Sequence, residues 1–292
     1  MEEKLISKIT QVDLSRNLEV PPSEGFREAY ILHIADSNLI LTQRNAAWCG
    51  HGPILEQDIA ITNITLDLIG QSRNLYQYAA ILINEKNNKL SETPTPSFLE
   101  NPEDDGATED SLAYLRKERE YKNLLLVEQE NGDWAQTIVR QFFYSIYQYL
   151  LYEKMQGSTD EQLAGIAAKS LKEVTYHVKW SSEWVIRLGD GTAESKQKMQ
   201  HAIKELWPYT GEMFIPADYE AAMIKAGIAP DVSLLKDEWM EKISAVFTEA
   251  TLEISENIFM HTGGKNGVHS EKLGYILSDL QYLQRTYPGA AW

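Results

Sequence analysis

The chain has 292 residues, 43% of them hydrophobic, and 43 acidic against 27 basic residues give a net charge of −16. Such a surface repels phosphate backbones, which argues against nucleic-acid binding. No apolar run approaches the roughly 20 residues that cross a bilayer. The single cysteine, Cys49, excludes an internal disulfide. Together with an N-terminus that lacks a basic region followed by an apolar run, it points to a cytoplasmic protein.

Residues 1–24 are polar, contain Pro21-Pro22, and read as an extended arm. The rest, 25–292, reads as one helical domain. Apolar residues recur at helical spacing from Phe26 to about Gln43, and Gly50, Gly52 and Pro53 then make a helix-to-helix turn. Leu55 to about Ile83 is a second long helix. Residues 85–110, rich in proline and acid, are expected to form a flexible crossover loop. A short helix is expected over Ser111–Val127.

Trp134–Gln156 is the most apolar stretch, apolar on nearly every side. It is expected either at the centre of a bundle or with one face against another chain. Ser158-Thr-Asp-Glu161 reads as a capping box and Gly189 as the stop of the helix it opens. Thr192 opens another helix that Pro208 interrupts. Further helices are expected over Leu234–Ile254 and Ser270–Thr286. With no strand alternation, the fold class is all-α.

A bundle of this kind can hold a di-iron centre when two helices each supply a Glu and two others each supply a Glu-x-x-His. That motif is missing. The residues three before His33, His51, His177, His201, His261 and His269 are Tyr30, Trp48, Val174, Lys198, Ile258 and Asn266.

Several polar groups stand out nonetheless. Glu173 and His177 share a helical face, as do Asp67 and Gln71, with Asn63 and Asn74 continuing the line. A buried carboxylate needs a partner, so Asp67 is expected to be neutralised by Arg73 or a lysine. Asp36 and Asn38 fit either such a network or a remnant cavity. Trp180 and Trp184 read as an interface anchor or a core stripe. The loop His261-Thr-Gly-Gly-Lys-Asn-Gly-Val-His269 offers backbone amides and Lys265 to an anion. There is no Gly-x-Ser-x-Gly and no Gly-rich phosphate loop. Cys49 and His51, two apart in a turn, do not by themselves imply a dyad.

Taken in order, Ala47-Trp-Cys-Gly-His51, Leu66-Asp-Leu-Ile-Gly-Gln71, Asn123-Leu-Leu-Leu-Val-Glu-Gln129, Lys172-Glu173 with Tyr176-His177, Gly189-Asp-Gly-Thr192, Thr262-Gly-Gly-Lys265 and Gln281-Tyr-Leu-Gln-Arg285 resemble the C subunits of the bacterial phenylacetyl-CoA epoxidases. These are multicomponent ring 1,2-oxygenases of aerobic phenylacetate breakdown. The resemblance implies a ferritin-like bundle with additional C-terminal helices. It also implies a partner, the catalytic A subunit, which carries the di-iron and forms heterodimers that pair into larger assemblies with the other oxygenase components.

Under the resemblance, Asn38, Leu68, Gln71, Val174 and His177 are degenerate remnants of the metal-ligand positions, and this chain holds no cofactor of its own. Asp36, Asp67, Glu173 and His177 are expected to form a buried polar network. Gly263, Gly264 and Lys265 are expected to touch coenzyme A or a partner. The role implied is a non-catalytic scaffold. The alternative is a stand-alone ferritin-like oxidoreductase with a metal at Glu173, His177 and Asp67.

Overall fold

The computed structural model describes residues 25–89, 106–254, 258–288 and 290. The arm expected over 1–24 and most of the expected crossover loop lie outside the described residues. Among the described residues every regular element is helical: α1 (Phe26–Ala46), α2 (Leu55–Lys89), α3 (Glu109–Tyr114), α4 (Trp134–Met155), α5 (Glu161–Gly189), α6 (Ala193–Leu206), α7 (Asp218–Lys225), α8 (Lys236–Glu249), α9 (Glu271–Leu280) and α10 (Tyr282–Thr286).

Helices α1, α2, α4 and α5 form a four-helix bundle from two hairpins. Cross-helix hydrogen bonds fix the directions. Asn45 meets Gln141 while Asn38 meets Tyr152, so α1 and α4 are antiparallel. Gln57 meets Trp180 while Gln71 meets Glu173, so α2 and α5 are antiparallel too. The order is up-down-down-up, with one long crossover between the hairpins. This is the ferritin-like connectivity. Helices α6 and α8 pack on the second hairpin, and α7 and α9 on α1.

Helix ends follow local chemistry. Asp133 caps α4 by accepting from the Gln136 amide at 3.1 Å. Thr192 caps α6 by accepting from the Ser195 amide at 3.1 Å. The expected capping box at Ser158 is shifted. Asp160 is the cap of α5, accepting from Leu163 N at 3.1 Å, and it also pairs with Arg27 and Tyr78. Ser158 instead donates to the Ile228 carbonyl. Gly189 ends α5 in a space with no room for a side chain, since a Cβ there would lie 2.5 Å from the Ala250 carbonyl oxygen.

Three expectations are corrected. Helix α2 continues to Lys89, into the segment expected as loop. The helix expected over Ser111–Val127 stops at Tyr114, and 121–127 contains no regular helix. The reason is tertiary. The Lys122 amide donates to Asp36, the Leu124 amide to Ser37 and the Leu125 amide to Glu212, so side chains replace the helical ladder while Leu124, Leu126 and Val127 are fully buried. The last two expected helices are shorter or split. Helix α8 ends at Glu249, before Thr251 at φ 55°, and the final helix breaks at Gln281.

Helix α4 takes the first of its two expected places, the centre of the bundle. Its apolar surface is consumed within the chain: Phe143 packs on Trp207, Trp239 and Phe247, and Tyr147 on Phe214. Only Trp134, Gln136, Tyr149, Glu153 and Lys154 of this helix are not buried. Helix α1 is equally enclosed, buried from Tyr30 through Thr42.

A buried ion pair pins the crossover to the bundle. Arg116 and Asp36 are both fully buried and joined. Tyr76 donates to Asp36 at 2.6 Å, and the Arg116 guanidinium lies 4.2 Å from the Tyr121 ring centroid. Removing one partner strands the other charge, which costs about 3–5 kcal/mol. Arg116→Met and Asp36→Leu should each destabilise the fold by that much. Combining them should cost less than the sum of the two in a double-mutant cycle read by chemical unfolding.

Candidate functional site

The centre of the bundle, where the four helices converge, is filled by amides and phenols. Tyr144 donates to Asn38 Oδ1 at 2.6 Å, and Gln148 Nε2 donates to the same oxygen at 2.8 Å. Gln148 Nε2 also reaches Gln71 Oε1 at 2.9 Å. Asn38 Nδ2 donates to the Tyr152 hydroxyl at 3.1 Å. Gln71 Nε2 then donates to Glu173 Oε2 at 2.8 Å. Burial pushes the Tyr152 phenol up to about 12 and Tyr144 well above its usual value, so both remain protonated donors. The network therefore runs neutral across α1, α4 and α2 and meets its one carboxylate, Glu173, at α5.

His177 stands one turn from Glu173 but does not bond to it. Its Nε2 lies 3.0 Å from Asp67 Oδ2, so the histidine, not Arg73 or a lysine, is the partner of Asp67. Arg73 is exposed and lies 3.4 Å from Glu109. Asp67 and Glu173 are thus rungs of a ladder between α2 and α5, joined to His177 and Gln71. Asp36 belongs to a different network, with Arg116 and Tyr76. Asn63 is exposed, so the polar line on α2 does not stay inside.

Leu68 and Val174, the hydrocarbon partners of Gln71 and His177 at i−3, are fully buried. Where a di-iron site would present four carboxylates and two imidazoles, these positions offer Asn38, Leu68, Gln71, Val174 and His177. On the third bundle helix, Gln148 faces Asn38 and Gln71. Amide oxygens carry no charge to offset two iron cations, so this donor set does not fit a di-iron centre. Among the described residues no three His, Cys, Asp or Glu side chains are grouped to hold a metal ion.

Gln148, Tyr144 and Tyr152 are the members of the bundle centre that the sequence reading misses. Their signal was present. Gln141 and Gln148 are buried amides seven residues apart, two turns along one face of an otherwise apolar helix.

The other candidates resolve simply. Trp180 belongs to the core, donating to Gln57 Oε1 at 3.0 Å and meeting Trp134 edge-on, while Trp184 is half-buried beneath Arg187. Cys49 and His51 are exposed, and His51 contacts the Cys49 carbonyl.

The glycine-rich loop is a correction. Lys265 is 2% exposed and is spent inside the fold: its Nζ lies 2.8 Å from Glu220 and 3.0 Å from the Ile215 carbonyl. Glu212 accepts from the Gly263 amide at 2.7 Å. A Cβ at Gly264 would lie 2.3 Å from the Asn123 carbonyl. The loop clamps 121–127 from the far side and presents no cation to coenzyme A or to a partner.

His269 completes the clamp, with Nδ1 3.1 Å from Glu128 and Nε2 2.9 Å from the Tyr121 carbonyl. Burial opposes its protonation, but Glu128 outweighs burial and the imidazole pKa is raised above its usual 6.5. A raised folded-state pKa stabilises the fold fully below the unfolded value and loses that contribution as pH rises through the folded value. Stability should therefore fall as pH climbs above about 6.5. His269→Gln should flatten that part of the profile in urea titrations at stepped pH.

Comparison with known proteins adds the lineage. A family model described as phenylacetic acid catabolic protein matches residues 24–292. The chain is 44% identical over 264 residues to the C subunit of the 1,2-phenylacetyl-CoA epoxidase of Escherichia coli (strain K12), covering 90% of this chain and 98% of the relative. The match extends from the bundle through the C-terminal helices that clamp the crossover, and the chain belongs to the phenylacetic acid catabolic protein family.

Proposed function

We propose that this chain is the non-catalytic structural subunit of a cytoplasmic phenylacetyl-CoA 1,2-epoxidase, a scaffold for the di-iron catalytic A subunit. The relative's name supplies the reaction and the multisubunit setting. The observation that carries the scaffold role is the neutral bundle centre beside an unpartnered apolar face. A catalyst of oxygen chemistry in this fold needs an anionic ligand set, and Asn38, Gln71 and Gln148 replace it with amides.

The face that meets the catalytic subunit is on α2. Leu55, Ile59 and Leu66, at i, i+4 and i+11, are 72%, 52% and 61% exposed. Gly70 continues the stripe, and Tyr176 of α5, the neighbour of His177, is 45% exposed. Gly70 is informative because it has no reason within this chain. A Cβ there would meet nothing within 4 Å, yet a mid-helix glycine costs about 1 kcal/mol relative to alanine. It keeps the surface flat where another backbone approaches. Obligate interfaces bury roughly 2,000–5,000 Å² and are rich in apolar side chains, which a long helix with an exposed apolar stripe supplies.

Gly70→Leu separates folding from docking. The isolated variant should be at least as stable as the parent, by up to about 1 kcal/mol. The stable co-complex formed on co-expression with the catalytic subunit should be lost in size-exclusion chromatography. An undiminished complex removes this face. Metal analysis of the washed, isolated chain tests the rival reading: stoichiometric iron that disappears in His177→Ala would replace the scaffold with an enzyme using Asp67, Glu173 and His177.

A further inference from the structure

A cleft between residues 117–118 and the last two helices combines cations, exposed tyrosine and an apolar floor on this acidic surface. Its volume is about 450 Å³, and its lining includes Lys117, Glu118, Leu277, Gln281, Tyr282 and Arg285. Leu277 and Gln281 form a buried floor, while Lys117, Tyr282 and Arg285 are exposed. Arg285 is held in place: its Nε donates to Gln281 Oε1 at 2.8 Å, and one Nη donates to the Leu115 and Arg116 carbonyls at 3.3 Å. Among the described residues neither the Lys117 ammonium nor the Arg285 guanidinium forms a salt bridge with a carboxylate. Glu118 is the one acid in the lining, so cations outnumber it on a chain of net charge −16.

Aromatic surface borders the cleft. Tyr282 in the lining and Tyr275, next to the lining Gly274, are 61% and 71% exposed. Exposed tyrosine beside a fixed arginine is the composition of interface hot spots. The cleft lies a short way along the chain from a pocket against α2. A second pocket, lined by Leu39, Ile69, Tyr76 and Tyr114, opens between α2 and α3, and the chain passes from Tyr114 to Lys117 in three residues. The tyrosines lie exposed rather than enclosing a cavity, which suits a polypeptide laid along the surface. A small anion would need most of its own surface buried.

We propose that this cleft docks an acidic segment of the catalytic subunit, with its carboxylates over Lys117 and Arg285 and an apolar side chain against Tyr282. The inference rests on the scaffold reading and extends its α2 face.

Lys117→Glu and Tyr282→Ala test it, with binding to the catalytic subunit followed across a salt series. Both side chains are exposed, so thermal melts of the isolated variants should match the parent. Lys117→Glu should slow association several-fold at low salt and flatten its salt dependence. Tyr282→Ala should raise Kd about tenfold, through dissociation. Gly70→Leu serves as the reference. If the parent chain forms no complex with the catalytic subunit, the scaffold reading has failed; if Gly70→Leu alone leaves binding intact, only the α2 face is removed and the two cleft variants still decide the cleft. If both cleft variants bind like the parent at every salt concentration, the cleft proposal is overturned. Saturable binding of adenosine 3′,5′-bisphosphate to the isolated chain, lost in Lys117→Glu, would also overturn it, in favour of a small-anion site.

Discussion

The hydrogen-bonded chain Tyr144–Asn38–Gln148–Gln71–Glu173 is the constraint on which the bundle depends. Each link crosses between helices, so the network does for α1, α2, α4 and α5 what a shared metal would do for a ligand-rich bundle. The energetics differ in kind. A hydrogen bond of this sort contributes about 1 kcal/mol net, but deleting one partner leaves a buried donor or acceptor unpaired at about 1–3 kcal/mol. The centre is therefore intolerant of single changes without being a large source of stability. Its members carry no formal charge until Glu173.

Charge is concentrated instead at the crossover. Segment 116–128 has little regular structure, and an irregular segment can be buried only if its backbone groups find partners. Asp36, Ser37 and Glu212 supply acceptors to its amides, Arg116 and Glu128 anchor its ends, and the 263–269 loop closes over it. The buried ions Lys265 and Glu220 belong to this same clamp. Glycines in a basic loop thus read from sequence as an anion cradle, whereas the anions held, Glu212 by the loop amides and Glu220 by Lys265, are the protein's own.

How much was legible follows from where the decisive contacts lie. The absence of Glu-x-x-His is a local fact, visible at six positions of the sequence. Helix ends set by Asp133 and Thr192 were legible for the same reason. What required the structure was non-local. Gln148 is one amide among apolar neighbours until Asn38 and Gln71 are seen on either side of it. The leucines at 124–126 have helical propensity until side chains of the bundle and of Glu212 take their amides. The pair Glu173 and His177 share a face, as spacing required, but spacing could not reveal that each bonds across to α2.

The apolar helix α4 is instructive, because both of its expected roles were consistent with composition and the structure takes the first, the centre of the bundle. Its surface is covered by α1, α5, α6 and α8, so the chain's own helices cover the face that the second alternative gave to a partner. That displaces the docking question to α2, which is less apolar but exposes what it has. Helix α2 is divided lengthwise. Ile61, Ile64, Leu68, Gln71 and Leu75 face the core, while Leu55, Ile59 and Leu66 face outward. Asp67 and Gln71, which carry the ladder to α5, flank the outward Leu66 and Gly70. One rigid helix therefore has the neutral centre on one side and the apolar stripe on the other, and any partner that fixes α2 also fixes the spacing between α2 and α5 on which the interior hydrogen bonds depend.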